Sequence, residues 1–203
     1  MSLDRSVLDR PVLEAAPLLL GAVLRRTSPE GTVAVRLTEV EAYSGQGGDP
    51  GSHAHRGRTR RNEVMFGPSG HLYTYFTYGM HTCGNIVCLP EGTAAGVLLR
   101  GGEIVEGEEL ARHRRGESVA ARDLARGPAR LAVAVGILLA DGGADVFAGD
   151  PYTLEFPARP LRFATSPRTG VSGEGGTDAF PWRFYLPDDP TVSPYRRSVP
   201  RKR

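Results

Sequence analysis

Between Thr32 and Tyr43 the odd positions are Val33, Val35, Leu37, Glu39, Glu41 and Tyr43. As a β-strand, whose side chains alternate at period two, this run puts both glutamates on the face that begins as core. A carboxylate pressed toward apolar surface is desolvated, so its pKa rises and it becomes a stronger base. The plainer reading is a bulge or strand end that turns the pair to solvent, or an arginine partner for each. A second stretch, His53-Ala54-His55-Arg56-Gly57-Arg58-Thr59-Arg60-Arg61, holds four arginines and two histidines without an acid, and Glu63 is the only carboxylate from Gly51 to Pro90. Concentrated positive charge of this kind suits phosphate contact, against the plainer reading of a solvated charged loop.

A third stretch runs Gly70-His71-Leu72-Tyr73-Thr74-Tyr75-Phe76-Thr77-Tyr78-Gly79-Met80. Alternation places Tyr73 and Tyr75 on one face and Phe76 and Tyr78 on the other. Aromatic platforms stack nucleobases at about 1–3 kcal/mol each. Ordinary core packing is the expectation for Tyr73 and Phe76. Tyr78 stands beside Gly79 at an expected hairpin end, where a large exposed ring can enter the minor groove and wedge into the base stack. A carboxylate facing a pocket, flanking aromatics, a basic loop and an aromatic tip are the parts a base-flipping enzyme needs.

The elements that would carry these residues can be read from periodicity and punctuation. Ala22 to Thr27 and Thr32 to Tyr43 flank the turn cluster Ser28-Pro29-Glu30-Gly31 and predict an antiparallel hairpin. Further strands are expected at His71 to Tyr78, Asn85 to Leu89 and Gly96 to Arg100, and short ones at Tyr152 to Phe156, Leu161 to Thr165 and Trp182 to Leu186. Helical pattern lies at Glu106 to Arg115, Val119 to Arg126 and Pro128 to Leu139, with a short helix in the apolar run Ala15 to Leu24, ending at Gly21. Strands first, then helices with returning strands, indicate an α+β fold on a mostly antiparallel sheet.

Composition narrows the chemistry. The chain has 203 residues, a length suited to one domain, and its 26 glycines and 16 prolines ask for many turns and long loops. Among 25 basic residues Lys202 is the only lysine. No Schiff-base lysine, phosphate-loop Gly-Lys-Ser/Thr or Ser-Lys dyad can therefore sit within the body. The net charge of +2 permits nucleic acid without demanding it, so local clusters decide. Cys83 and Cys88 read as reduced, buried thiols of a cytoplasmic protein; a zinc site with His81 would lack a fourth ligand. The run Ala15 to Leu24 is too short to span a bilayer, and no membrane association is expected.

These stretches resemble the 3-methyladenine (alkyladenine) DNA glycosylase family. The likeness rests on Glu39-Val40-Glu41-Ala42-Tyr43, Arg61-Asn62-Glu63-Val64-Met65-Phe66, Leu72-Tyr73-Thr74-Tyr75, Tyr78-Gly79-Met80, Asn85-Ile86, Val97-Leu98-Leu99-Arg100, Gly127-Pro128 with Leu131, and Trp182-Arg183-Phe184-Tyr185, in one register from about Val12 to Ser193. The resemblance implies a single compact domain on a curved antiparallel sheet flanked by helices, with a protruding DNA-inserting hairpin and no metal or cofactor. It implies excision of damaged purines, alkylated or deaminated, from double-stranded DNA by hydrolysis of the N-glycosidic bond. Glu41 matches the glutamate that deprotonates the attacking water, and Arg100 an arginine near the target phosphate and that water. Tyr43 and Tyr75 match the rings that sandwich the flipped base, His53 the opposite wall, and Asn85 an asparagine that crowds the guanine amine. Tyr78 matches the intercalating wedge.

Some positions differ from the family pattern. One extra residue between Tyr43 and His53 makes His55 a possible substitute for His53; Arg130 replaces the usual lysine after Gly127-Pro128; and Thr77 and Thr169 stand where aliphatic residues are common. Phosphate contacts are expected from Arg56, Arg58, Arg60, Arg61 and Arg130, and from the basic tail over about 194–203, expected to be disordered. Without an amine in the body, the reaction should be hydrolysis with no strand scission, by a monomer working in the cytoplasm at the nucleoid. Two other readings compete: a non-catalytic nucleic-acid-binding module on the same fold, and an O-glycoside hydrolase using Glu39 and Glu41, about 7 Å apart along a strand, as an inverting pair.

Overall fold

The computed structural model describes residues 4–77 and 79–198. Tyr78, Lys202 and the end of the basic tail lie outside the described residues. β1 (Val23–Ser28) and β2 (Gly31–Tyr43) form the expected hairpin, in register from Val23 opposite Arg36 to Ser28 opposite Gly31. β2 is the axis of the molecule. One of its edges pairs with β5 (Gly96–Glu106); the other pairs first with β1 and then, at Glu39 to Glu41, with β9 (Arg183–Tyr185). The sheet path is β3 (Leu72–Thr77), β4 (His81–Val87), β5, β2, β1 and β7 (Tyr152–Glu155); β6 (Ala125–Arg126) joins β5, and β8 (Ala164–Ser166) joins β9. Every pairing is antiparallel, which with three short helices makes an α+β fold.

The helices are α1 (Val12–Ala15), α2 (Glu108–Arg115) and α3 (Pro128–Val135). Leu131, Ala132 and Val135 of α3 and Val12 and Ala15 of α1 join Val33, Val35, Leu37, Val97 and Leu99 in one buried apolar cluster. No helix among the described residues is long and apolar enough to cross a membrane.

One irregularity governs the placement of the acids. Across β2 and β5, Leu37 faces Gly102, Glu39 faces Gly101 and Val40 faces Leu99, so Thr38 and Arg100 have no direct partner. A residue inserted in a ladder shifts the alternation behind it by one. The core face of β2 accordingly passes from Val33, Val35 and Leu37 to Val40 and Ala42. Glu39 and Glu41 therefore face away from the apolar core, contrary to the face expected from unbroken alternation. Glycine is required beside this bulge: a Cβ on Gly102 would lie 2.5 Å from the Arg36 carbonyl oxygen.

Other elements also differ from expectation. The helix expected over Val119 to Arg126 is a 3₁₀ turn at Ala121–Asp123 followed by β6, which pairs with Gly101 and Gly102 of β5. α3 stops at Val135 because Gly136, at φ 87°, turns its N–H back onto the Ala132 and Val133 carbonyls. Residues Ala16–Leu19 continue α1 as a 3₁₀ turn, with Pro17 denying an α-helical donor. β4 begins earlier than expected, at His81, and β5 runs on to Glu106. Phe76, expected in the core, is 48% exposed, because the end of the β3–β4 hairpin has no layer above it.

Candidate active site

Directly opposed residues of an antiparallel sheet share a face. Glu41 opposes Leu98 on β5, Leu98 opposes Asn85 on β4, and Asn85 opposes Tyr73 on β3. Tyr75 opposes Cys83 in the next row but one. The bulge at Thr38 sets Glu41 in this row, whose other members Leu98, Asn85 and Tyr73 line a cavity of about 360 Å³. Its walls include Tyr43, His53, Tyr75, Asn85 and Arg100, together with Met65, Thr77, Pro128 and Thr169. The structure thus brings together five of the residues singled out in the sequence, with Glu41 directly beneath them.

The two glutamates are fully buried but differently held. Glu39 accepts from Arg100 Nε at 2.9 Å, Arg183 Nε at 2.6 Å, Ser193 N at 2.7 Å and Ser193 Oγ at 2.9 Å. Burial pushes its carboxyl up, but Arg100 and Arg183 outweigh burial and hold it below the usual carboxylate range. The raised basicity expected for a desolvated pair is therefore not found at Glu39; the arginine-partner reading applies there. Glu41 accepts from the Tyr43 hydroxyl at 2.8 Å and from Thr169 N at 2.7 Å, and Arg100 Nη1 lies 3.4 Å away. An ionised carboxylate has about four acceptor positions; four donors crowd Glu39, three of them on Oε1, whereas Glu41 has one hydrogen-bond donor on each oxygen and keeps capacity for more. Because Glu39 is paired with Arg100 and Arg183 and does not line the cavity, an inverting pair of Glu39 and Glu41 has no second free carboxylate there.

Aromatic rings shape the slot. Tyr73 and Tyr75 stack at 5.6 Å between centroids, and His53 meets Tyr75 edge-on at 4.6 Å. Tyr73 is thus both buried and part of the cavity wall. His53 Nδ1 lies 3.1 Å from the Tyr73 hydroxyl, and partial burial with nearby Arg61 pushes its pKa below the ordinary value, favouring the neutral ring at pH 7. His53, rather than His55, lines the cavity. Asn85 is fixed by its own donation from Nδ2 to the Tyr73 carbonyl at 3.1 Å. Burial pushes the Cys83 thiol up to about 11, so it stays protonated in the wall.

The basic loop is stapled by Asn62, whose Nδ2 donates to the carbonyls of His53 and Gly57 at 2.9 and 3.0 Å. Arg56, Arg58, Arg60 and Arg61 are exposed on it, and Arg130 is exposed on α3. Arg61 ties the loop to the β3–β4 hairpin by donating to the Phe76 carbonyl at 3.1 Å.

A clamp that no motif marks in the sequence lies behind the slot. Arg168 is fully buried and forms a bidentate pair with Asp49, both contacts at 2.6 Å. It also donates to the carbonyls of Ala42 and Gly175. Its guanidinium carbon sits 4.5 Å from the Tyr43 ring centroid, with Trp182 at 5.2 Å and Phe180 at 5.7 Å. A Cβ on Gly51 would lie 2.6 Å from Arg168 Nη2, so glycine makes room for the cation. The one sequence signal is an arginine and aromatics in a glycine-rich segment. Ser193 and Arg183, which hold Glu39, and Thr169, which holds Glu41, are equally silent as partners. Among the described residues no three His, Cys, Asp or Glu side chains gather as metal ligands would.

A family model described as methylpurine-DNA glycosylase (MPG) matches residues 6–190. Proteins named "Putative 3-methyladenine DNA glycosylase" are similar along nearly the whole chain. One from Leifsonia xyli subsp. xyli is 63% identical over 91% of this chain and 88% of its own. Another, from Streptomyces avermitilis, is 57% identical over 99% of this chain and 95% of its own. A third, from Nocardia farcinica, is 50% identical over 98% and 92%. The chain belongs to the methylpurine-DNA glycosylase family and is a DNA glycosylase.

Proposed function

We propose that the enzyme flips alkylated or deaminated purines out of duplex DNA and hydrolyses their N-glycosidic bond with a water activated by Glu41. The observation that carries this reading is an aromatic slot of about 360 Å³, within the size range of small-ligand pockets, lined by Tyr43 and Arg100, the two side chains that reach Glu41. A purine alkylated at N3 or N7 is already cationic, so its bond to C1′ is weak. The water oxygen bonds to C1′, the C1′–N9 bond breaks with its electron pair on the base, and Glu41 takes the water proton. The cationic purine leaves neutral, and the sugar remains as an abasic site in an unbroken strand.

The residues divide the work. Tyr43 and Tyr75 flank the base, His53 meets its edge, and Asn85 crowds a guanine amine. Arg100 holds positive charge beside Glu41 and the target phosphate. Tyr78 fills the gap left in the duplex. Arg56, Arg58, Arg60, Arg61 and Arg130 contact phosphates, and the enzyme works as a monomer at the nucleoid. Single-turnover excision from a duplex with one 7-methylguanine tests the reading. Glu41→Gln lowers the rate by about 10²–10⁴-fold while DNA binding persists; excision at the wild-type rate by that variant would remove Glu41 from the mechanism.

A further inference from the structure

Glu41 is fully buried, and although it lies directly beneath the cavity floor, the side chain that presents itself to the cavity in its place is Tyr43. The Tyr43 hydroxyl donates to Glu41 Oε2 at 2.8 Å, while Thr169 N holds Oε1 from the opposite chain segment. Behind the ring sits the Arg168 guanidinium, 4.5 Å from its centroid. Tyr43 lines the cavity, and Arg168 does not. Tyr43 is therefore fixed from behind by a charge, fixed at its hydroxyl by a carboxylate, and open to the cavity where a base would stack.

We propose that Tyr43 is a positioning residue for Glu41 as well as a wall for the base, so that the ring on which a purine stacks also holds the carboxylate in its working orientation. This rests on the function proposed above. A phenol can fill both roles, because burial and the adjacent Glu41 carboxylate raise its pKa well above the ordinary value and keep it a donor at every pH at which the enzyme is folded and active. Two donors on different oxygens fix the plane of the carboxylate and leave its remaining lone pairs in a set direction. Arg100 Nη1 at 3.4 Å adds the third side of this frame, and Glu39 faces Arg100 and Arg183, not Glu41.

Tyr43→Phe separates the two roles, because it keeps the ring and removes the donor. In single-turnover excision of 7-methylguanine from a duplex, Tyr43→Phe lowers the rate about tenfold, the loss expected for one hydrogen bond to a charged group, without weakening duplex binding. A carboxylate with one donor fewer is easier to protonate, so the acid limb of the pH–rate profile moves to higher pH. Tyr43→Leu, which also removes the stacking face, weakens lesion binding in addition. An activity-independent readout is NMR titration of the Glu41 carboxyl carbon, whose transition moves to higher pH in Tyr43→Phe. A Phe variant with wild-type rate and wild-type titration overturns the positioning role and leaves the glycosylase reading intact. If the titration moves but the wild-type enzyme releases no base, the positioning contact stands and the lesion assignment fails.

Discussion

Arg100 reaches both glutamates of β2, donating to Glu39 through Nε at 2.9 Å and approaching Glu41 through Nη1 at 3.4 Å. One cation shared by two carboxylates would leave them equivalent if nothing else intervened. Arg183 and Ser193 break the symmetry by giving Glu39 three further donors. Glu39 is thereby a structural anion that anchors Arg100, and Glu41 retains capacity for a further donor.

Glu39→Gln should destabilise the protein by about 3–5 kcal/mol, since it leaves two buried guanidiniums short of an anion. The pH dependence follows from the direction of the Glu39 shift. Its folded pKa lies below the unfolded value of about 4.5, so the unfolded state binds the proton first. The contribution is fully present above that value and is lost as pH falls through the lower folded pKa. Denaturant titrations at pH 7 and across the acid range should show a steeper fall in the wild type than in the variant.

Arg168 and Asp49 form a pair with no exposure on either side chain. Asp49→Asn or Arg168→Met alone strands one buried charge and should cost about 3–5 kcal/mol. The larger consequence is local: β2 at Ala42, the loop at Asp49 and the segment at Gly175 lose their common tie. Hydrogen exchange should therefore rise first in residues 44–55 and 168–176. Protection unchanged there after either substitution would show that the clamp does not order the slot.

Among the described residues the buried Thr169 hydroxyl has no hydrogen-bond partner. A hydroxyl in that state costs about 1–3 kcal/mol. Thr169→Val keeps the shape and the backbone N–H on Glu41, so the free enzyme should gain stability. A higher melting temperature for the variant checks it; a lower one would mean the hydroxyl is solvated within the cavity.

The exposed arginines predict a salt dependence. Each Arg-to-phosphate contact adds about 0.9 to the slope of log K against log salt. Arg56→Gln, Arg58→Gln and Arg60→Gln should each reduce that slope, measured by fluorescence anisotropy on duplex DNA. Arg61→Gln should also loosen the hairpin, because Arg61 holds the Phe76 carbonyl.

Much of this architecture is legible in period and punctuation. The β1–β2 hairpin is marked by Ser28-Pro29-Glu30-Gly31, and the start of α3 by Pro128. The cavity residues Tyr43, Tyr75, Asn85 and Arg100 stand in the motifs that carry the family resemblance, and His53 lines the cavity although its loop departs from the family spacing by one residue. What escapes depends on contacts far along the chain. A bulge is set by the partner strand and by the glycines at 101 and 102, neither visible within β2 itself. The same holds for β6, where pairing with β5 overrides a helical pattern, and for Arg168, whose partners lie at 42, 49 and 175. Propensity sees neighbours in sequence, whereas a buried ion pair is chosen by neighbours in space.

The bulge at Thr38 makes a single strand obey two phases. Before it, odd residues belong to the interior; after it, even ones do, and the odd ones become the working surface. Chemistry and packing are thus written on the same thirteen-residue segment without competing for the same positions. Flattening the bulge with Thr38 still in the strand would merge the phases and drive both acids into the apolar layer, so the enzyme's ability to hold a charge above its core depends on one residue that has no counterpart on the neighbouring strand.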